Sequence, residues 1–489
     1  MALRILKTRE TSVPPAACLV IPCVTKEDAV EAFTNAGIEG GDVHRLIDAC
    51  DPASEDNGQI YLANQRIFMV GLGKSRQYGK VKQAFQVLSG KLRGKKIDHY
   101  VLMLAHLSEG GDLNTIADAA VNGLCLGRYD FGQLKSGKDK EANPFELDVV
   151  TGSHDLEQTI RIAEAAALTQ QSIYALVNLP SSHKTPEVMA NWARNSAAEA
   201  GYEVDVLEEK ELRERGFEAL LAVNRGSEFP ARLVISRYNG TTDPAAPLLA
   251  FVGKGVTFDT GGVNIKTGDS MHLMKSDMGG AAAALGAVEL LARAKAPVRV
   301  MACAPCTDNS IGTKAIKPGD VIHSYSGKTI EVINTDAEGR LILADALSYV
   351  IRQFKPVAVV DLATLTGSII RTLGSHCAGL FTHSDTLAAA LTLAGDTVGE
   401  RLWRLPIWED YADEMKSEIA DVRNLSDKPA AGAITAAKFL ENFVEEHPQW
   451  AHLDIAGTAF KANGVSKGHV ATAYGVRLLY EFACNFSRE

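Results

Sequence analysis

The sequence lacks any apolar run of the roughly 18 residues that a membrane-spanning helix needs. Its N-terminal apolar stretch, residues 16–24, is interrupted by Pro22 and followed by Lys26 and Glu27, which predicts a first strand rather than a signal peptide. The 8 cysteines spread over 489 residues are too sparse for a disulfide framework and are typical of a reducing compartment. We therefore expect a cytoplasmic protein that does not enter the membrane.

Basic residues are outnumbered, 50 against 60 acidic residues, which gives a formal charge of −10 and disfavours nucleic acid and anionic membranes as partners. The sequence contains no HExxH and no GxSxG motif, and its 12 histidines are scattered singly. A histidine-bound zinc and a serine triad therefore have no support in the sequence. VGLGKS at 70–75 lacks the first glycine of a phosphate-binding loop, because Phe68 stands in its place, and it favours a strand-to-helix turn.

The alternation of apolar runs and helical stretches predicts an α/β protein with two domains. Residues 1–155 are assigned to a smaller N-terminal α/β domain, and residues 156–180 to a connecting helix or linker. The helical stretches of the first domain lie near 26–36, 75–92 and 112–127. Its polar segment at 131–146 shows no periodicity.

Residues 181–489 are assigned to a larger C-terminal α/β domain with a mixed, mostly parallel sheet. A helix is predicted at 279–294 and a hairpin at 320–334. The other predicted strands lie at 202–208, 232–239, 248–253, 298–305 and 357–364.

The segment EVINTDAEGRLILADAL at 331–347 places two acids and an arginine between two apolar runs. Thr335 and Glu338 have the spacing of a capping box, and acids in a first helical turn suit the helix dipole. Gly339 opposes this interpretation, because a glycine there weakens a helix by up to about 1 kcal/mol. Taken alone, the segment leaves capping and ligand binding both open.

Further charged residues stand among glycines near predicted strand ends and helix starts. In open α/β sheets the binding crevice lies beyond the carboxyl ends of the strands. We therefore expect one edge of the sheet to bring together Lys254, Asp259, Asp277, Asp336 and Glu338. Four carboxylates packed together repel one another unless cations neutralise them, and two divalent ions would balance their charges.

The basic residues of these segments fit complementary tasks. Lys254 would bind a metal as a neutral amine, and Lys266 is suited to polarise a carbonyl oxygen. Arg340 stays protonated and is suited to hold a small anion through paired hydrogen bonds. Seen singly, each acid is more commonly a cap or a surface partner, and Arg340 would pair with Asp336 or Glu338. The spacing alone does not separate a peptidase from a phosphatase.

NTDAEGRL at 334–341 resembles, residue for residue, the signature octapeptide of the leucyl aminopeptidase, or cytosol aminopeptidase, family. VGKGVTFDTGG and MKSDMGGAA resemble the other two metal-site motifs of that family. The resemblance covers roughly residues 170–480. The first 150 residues resemble the N-terminal domain of the family only in general character. That domain is variable and macro-domain-like. APCTDNSIG departs from the family pattern, in which a glutamate is expected near Asp308.

The resemblance implies a dinuclear centre that uses zinc, manganese or magnesium. It implies a tight metal site at Lys254, Asp259, Asp277 and Glu338. It implies a second, more exchangeable site at Asp259, Asp336 and Glu338, with the main-chain carbonyl of Asp336 as a further ligand.

Other roles are implied by the same resemblance. Lys266 corresponds to the catalytic lysine of the family, and Arg340 to the arginine that holds a bicarbonate acting as general base. Met274, Thr364 and Leu365 fall where the family lines its substrate cleft. The usual assembly of the family, a hexamer of two trimers, makes a homohexamer the expected state.

We therefore predict a metallo-aminopeptidase that releases leucine and other apolar N-terminal residues from peptides, with residues 181–489 as its catalytic domain. Two alternatives stay open. The first is a dinuclear-metal phosphoesterase, although such sites usually add histidines, which these motifs lack. The second is a non-catalytic binding role of an aminopeptidase-like oligomer.

Overall fold

The structure is a computed structural model, and it describes residues 2–6, 17–35, 38, 40–50, 52, 57–62, 65–73, 76–107, 113–132, 134–136, 145–462, 464–466 and 468–486. The chain divides into two compact units, Met1–Gln171 and Ser172–Glu489. The division falls inside one long helix, Glu157–Asn178, where the sequence predicts a connecting helix. The assignment of residues 156–180 as a linker stays a prediction.

The first unit is an α/β domain built on a six-stranded sheet. Its strands are β1 Ala2–Leu6, β2 Cys18–Cys23, β3 Asn57–Leu62, β4 Gln65–Gly71, β5 His99–Met103 and β6 Glu146–Val150. Its helices are α1 Lys26–Asn35, α2 Gly41–Ala49, α3 Tyr78–Gly94, α4 Leu113–Leu126 and the first part of α5 Glu157–Asn178. The sheet order is β1-β6-β5-β2-β4-β3, and every pair except β3–β4 is parallel.

The three helices predicted in this unit are confirmed as α1, α3 and α4. The strand predicted in the apolar N-terminal stretch is confirmed as β2. The sequence interpretation missed β1, β3, β6 and α2, which are short elements. Parts of several predicted segments, including residues 16, 36, 74, 75, 112 and 137–144, lie outside the described residues. Every residue of β2 is buried, as expected for a central strand of a parallel sheet that is covered on both faces.

The second unit is larger and carries a nine-stranded sheet. Its helices are α6 Pro186–Ala200, α7 Glu209–Glu214, α8 Glu218–Asn224, α9 Gly279–Arg293, α10 Glu338–Phe354, α11 Gly367–Leu373, α12 Asp385–Val398, α13 Gly432–Glu441 and α14 Val476–Phe486. Its strands are β7 Glu203–Glu208, β8 Arg232–Asn239, β9 Leu248–Gly253, β10 Gly255–Asp259, β11 Arg299–Asn309, β12 Val321–His323, β13 Thr329–Glu331, β14 Ala358–Ala363, β15 Ala378–Phe381, β16 Leu402–Arg404, β17 Val422–Arg423, β18 Trp450–Asp454, β19 Phe460–Lys461 and β20 Val470–Ala471. Short 3₁₀ helices lie at Ser181–His183, Met271–Ser276 and Glu409–Met415.

The nine-stranded sheet has the order β16-β15-β18-β14-β9-β11-β8-β7, with β10 paired to the end of β11. Five of its strand pairs are parallel and three are antiparallel, which confirms the predicted mixed, mostly parallel sheet. The predicted hairpin is also confirmed as β12–β13. The central strands β9, β11, β14 and β18 run parallel, so their carboxyl ends meet at one edge.

Small residues let helix α9 approach that edge closely. A Cβ atom at Gly280 would lie 2.0 Å from the carbonyl oxygen of Leu362 on β14, and one at Gly253 would lie 2.4 Å from the Cα atom of Ala281. Any larger residue at Gly280 would therefore push α9 off the sheet. The first turn of α9 lies directly over the ends of β9 and β14.

Among the described residues, no helix has the length and apolar character needed to cross a membrane.

Candidate metal centre

The predicted metal ligands lie at the carboxyl ends of the central strands, and the structure brings them together. Lys254 directly follows β9, and Asp259 ends β10. Asp277 follows the turn at Met271–Ser276 and precedes α9. Glu338 is the first residue of α10, and Asp336 lies in the loop before it.

Distances within this cluster are short. One carboxylate oxygen from each of Asp259, Asp336 and Glu338 lies within 4.8 Å of the other two. The Nζ atom of Lys254 lies 2.7 Å from Oδ2 of Asp277 and 2.8 Å from Oε1 of Glu338. The fourth acid therefore joins the cluster through this lysine.

Lys266, predicted as the catalytic lysine, also lies inside the cluster. Its Nζ atom is 2.7 Å from Oδ2 of Asp259 and 2.5 Å from Oδ1 of Asp336. Its side chain is 23% exposed and that of Asp336 is 35% exposed, whereas Asp259 is buried. Lys266 and Asp336 therefore form the solvent-facing side of the site.

Burial dominates the electrostatics of the cluster. It raises the pKa of Glu338 to about 8, and the charge of Asp259 adds to that rise. Burial also raises the pKa of Asp277 to about 6, against the opposing charge of Lys254. Burial alone would lower the pKa of Lys254, but the carboxylates of Asp277 and Glu338 reverse the direction and raise it. The two carboxylates thus keep the lysine charged.

Unsatisfied oxygen atoms test whether divalent ions fit this site. Among the described residues, both carboxylate oxygens of Glu338, Oδ2 of Asp277 and Oδ1 of Asp336 are buried without a hydrogen bond of normal geometry. Lysine ammonium groups lie beside three of these four atoms. Buried polar atoms are rarely left unpaired, and carboxylate oxygens are favoured ligands of divalent cations. The residues present therefore fit such ions.

Neighbouring side chains hold two of the carboxylates in place. Oδ1 of Asp259 accepts hydrogen bonds from Nδ2 of Asn309 and from the amide of Gly261, both at 2.8 Å. Oδ1 of Asp277 accepts one from the hydroxyl of Thr364 at 2.7 Å. The sequence interpretation missed Asn309, which lies at this edge because β11 runs past its predicted end.

Asp308, near which the family pattern led us to expect a glutamate, is buried at the end of β11 but lies outside the cluster. Its Oδ2 atom accepts a hydrogen bond from the hydroxyl of Ser310 at 2.7 Å. The departure from the family pattern therefore concerns the end of β11 and the loop that begins at Ser310.

The capping interpretation of residues 335–338 is not realised. The N-cap of α10 is Ala337, which makes no side-chain cap. The hydroxyl of Thr335 instead donates to the carbonyl of Gly261 at 2.7 Å and accepts from the amide of Asn264 at 2.9 Å. Thr335 therefore ties the Asp336 loop to the segment after Asp259.

Gly339 provides space at the start of α10. A Cβ atom there would lie 2.5 Å from Cε and 2.8 Å from Nζ of Lys254. The side chain that uses this room is Lys254.

Arg340 is buried beside the cluster and is 4% exposed. Its Nη1 atom donates to the main-chain carbonyl of Asn424 at 2.8 Å, and its Nε atom has no hydrogen-bond partner among the described residues. Burial lowers the pKa of Arg340 to about 10, which leaves it a cation at neutral pH. The alternative of an ion pair with Asp336 or Glu338 is not seen in this part of the structure.

The three predicted cleft residues lie next to the ligands. Met274 is half-buried in the turn before Asp277 and accepts the amide hydrogen of Asp277 at its carbonyl oxygen. The carbonyl of Thr364 accepts from Lys254 at 3.1 Å. Leu365 is half-buried, and its amide donates to Asp454 at 3.2 Å.

The fold and this cluster together define an α/β protein with a buried acidic site suited to divalent metals. Residues 172–480 match the model of the cytosol aminopeptidase family catalytic domain, and residues 61–138 match that of its N-terminal domain. The chain belongs to the cytosol aminopeptidase family and is a metal-dependent aminopeptidase that acts on peptides.

Individual relatives agree with this family. A probable cytosol aminopeptidase of Chlorobaculum tepidum is 42% identical over 447 residues, which cover 86% of each chain. A mutant of tomato leucine aminopeptidase has a similar structure, with a TM-score of 0.87, 31% identity and coverage of 99% of this chain and 96% of that one. The bottromycin maturation enzyme BotP in complex with Mn gives a TM-score of 0.84 at 31% identity, with coverage of 96% and 100%.

Proposed function

We propose that the chain releases N-terminal residues from peptides, with leucine and other apolar residues preferred, by hydrolysis at a two-metal centre. The observation that carries this proposal is the convergence of four carboxylates and two lysines, in which Oε2 of Glu338 is buried without a partner among the described residues. The similarity to a leucine aminopeptidase supports the substrate preference.

We propose that Lys254, Asp259, Asp277 and Glu338 hold a tight ion. Asp259, Asp336 and Glu338 would hold a more exchangeable one, together with the main-chain carbonyl of Asp336. Zinc or manganese is the proposed metal, with magnesium as a further option, and the Mn complex of the similar enzyme BotP supports manganese. When bound, such ions polarise a peptide carbonyl and make water a better nucleophile near neutral pH.

Residues of the chain itself supply the other groups. If Asp259 and Asp336 held metal, the ammonium of Lys266 would be available to donate to the oxygen anion that develops on the substrate carbonyl. Arg340 is a buried cation with a free Nε–H group, suited to hold a bicarbonate that moves a proton to the leaving amine. Met274, Thr364 and Leu365 would line the cleft for the first side chain of the peptide.

The experiment that tests this proposal is a leucine p-nitroanilide assay after thorough chelation, with Zn²⁺, Mn²⁺, Mg²⁺ and Co²⁺ added back separately. We expect activity to be lost on chelation and restored by added metal, more on leucyl than on acidic anilides. A phosphodiester substrate serves as control. Activity that survives chelation, or activity only on the phosphodiester, would overturn the proposal.

We further propose a homohexamer in the cytoplasm. The name of the cytosol aminopeptidase relatives supports the location. Sedimentation of the purified 52.4-kDa chain tests the assembly.

A further inference from the structure

One buried asparagine, Asn424, holds the loop that carries Asp336 and Glu338. Asn424 directly follows β17, which pairs in parallel with β13, and its amide donates to the carbonyl of Glu331 at 2.9 Å. It is 0% exposed. The pairing of β17 with β13 thus places the side chain of Asn424 at the beginning of this loop, although the two segments are distant in sequence.

The side-chain amide of Asn424 is engaged entirely with the main chain of this loop. Its Nδ2 atom donates to the carbonyls of Asn334 at 2.7 Å and Ala337 at 3.4 Å. Its Oδ1 atom accepts from the amides of Ile333 at 2.8 Å and Asn334 at 3.3 Å. An asparagine amide has two donor hydrogens and two acceptor positions, and all four are used here.

The main chain of Asn424 serves a second element of the site. Its carbonyl oxygen accepts the Nη1–H group of Arg340 at 2.8 Å, the one hydrogen bond of that guanidinium among the described residues. The same residue therefore sets the course of the loop before α10 and the direction of the arginine in the first turn of α10.

We infer that Asn424 is a positioning residue for the metal centre: it fixes the turn at Asn334–Ala337, and with it Asp336 and Glu338, and orients Arg340. The inference rests on the proposed function of this site. No carboxylate or hydroxyl of similar size can replace the amide. An aspartate at this position would place a carboxylate oxygen where Nδ2 now donates to two carbonyls, and both of these hydrogen bonds would be lost.

The test compares Asn424→Asp with Asn442→Asp as matched control. Asn442 also donates from Nδ2 to two main-chain carbonyls, those of Lys438 and Phe439, but it lies at the end of α13. For each folded variant we measure Mn²⁺ binding by calorimetry, thermal midpoint and leucyl-anilide kinetics. We expect Asn424→Asp to weaken the binding of one ion by about tenfold or more, because the loss of a group that orients metal ligands typically has an effect of this size. We also expect it to lower kcat more than it changes KM.

Asn442→Asp should change metal affinity less than twofold. Equal metal affinity and kcat in Asn424→Asp and the wild type would overturn the inference, whatever the thermal midpoint. Absence of Mn²⁺ binding and of leucyl-anilide hydrolysis in the wild type would instead overturn the proposed function. If Asn424→Asp does not fold, hydrogen exchange of the wild type tests the inference instead. The amides of Ile333 and Asn334 should be protected from exchange in the absence of metal. Fast exchange of these two amides would overturn the inference.

Discussion

At the scale of single residues, Gly339 gives a sharp prediction. Glycine inside a helix is less stable than alanine by about 1 kcal/mol, so Gly339→Ala would be expected to favour α10 locally. The added Cβ atom would nevertheless lie 2.5 Å from Cε of Lys254 and displace that lysine from Asp277 and Glu338. We expect a loss of at least about tenfold in kcat/KM on leucyl anilide.

The control is Gly41→Ala, also in a first helical turn, where an added Cβ atom meets nothing within 4 Å. It should leave kcat/KM unchanged. A fully active Gly339→Ala enzyme would show that Lys254 does not need its present position.

Residue types and spacing were enough to predict which charged residues converge, because several of them stand among glycines at strand ends, and the binding crevice of an open α/β sheet lies beyond those ends. Spacing did not predict Asn309 or Asn424. An asparagine carries no charge and follows no periodicity, and these two reach the site through strands β11 and β17, whose ends depend on pairing with distant segments. The actual partners of the Thr335 hydroxyl, Gly261 and Asn264, could not be predicted either, because they lie far away in sequence.

At the scale of elements, the carboxyl end of α5 is held by a buried lysine. Nζ of Lys184 donates to the carbonyl of Val177 in the last turn of α5 at 2.8 Å, and to the carbonyl of Lys275 before Asp277. Burial lowers the pKa of Lys184 from 10.5 to about 7, and the charge of Lys275 adds to this effect. The unfolded chain therefore binds one more proton than the folded chain between about pH 7 and 10.5, and raising the pH through this window stabilises the folded form.

We accordingly expect the stability of the wild type relative to Lys184→Met to rise with pH from 7 to 9, by at most about 1.4 kcal/mol per pH unit. Thermal midpoints at pH 7, 8 and 9 measure this difference. Lys314→Met, a substitution at an exposed lysine, is the control and should show no such slope. A difference that is constant with pH would contradict a buried, deprotonating Lys184.

Elements with a clear apolar or alanine-rich pattern were predictable, whereas β1, β3, β6 and α2 were missed. The alanine-rich α9 and the apolar strands β9 and β14 appear within one residue of their predicted bounds. β11 runs four residues beyond its predicted end at 305, because its polar residues 307–309 still pair with β10. A polar strand end of this kind is set by its neighbour and not by its own composition.

At the scale of the whole molecule, the candidate site concentrates charge in a chain that already carries a net charge of −10. Without metal, Lys254 and Lys266 partly offset four carboxylates, and burial raises the pKa of Glu338 to about 8. Ions that bind only the folded chain would stabilise it by about 2.7 kcal/mol for each site at a hundredfold excess over its dissociation constant. Because these ligands all lie within Ser172–Glu489, we expect metal to stabilise that unit.

The prediction is that Mn²⁺ added to chelated protein raises the thermal midpoint by at least about 5 °C, as such energies imply for a unit of this size. Scanning calorimetry measures the shift. Glu338→Gln, which removes the carboxylate shared by both proposed sites, should lose most of the shift without losing the folded transition. The neutral amide of Glu338→Gln lacks the negative charge that this centre needs to bind a cation. A shift of equal size in the wild type and in Glu338→Gln would therefore show that the stabilising metal binds elsewhere.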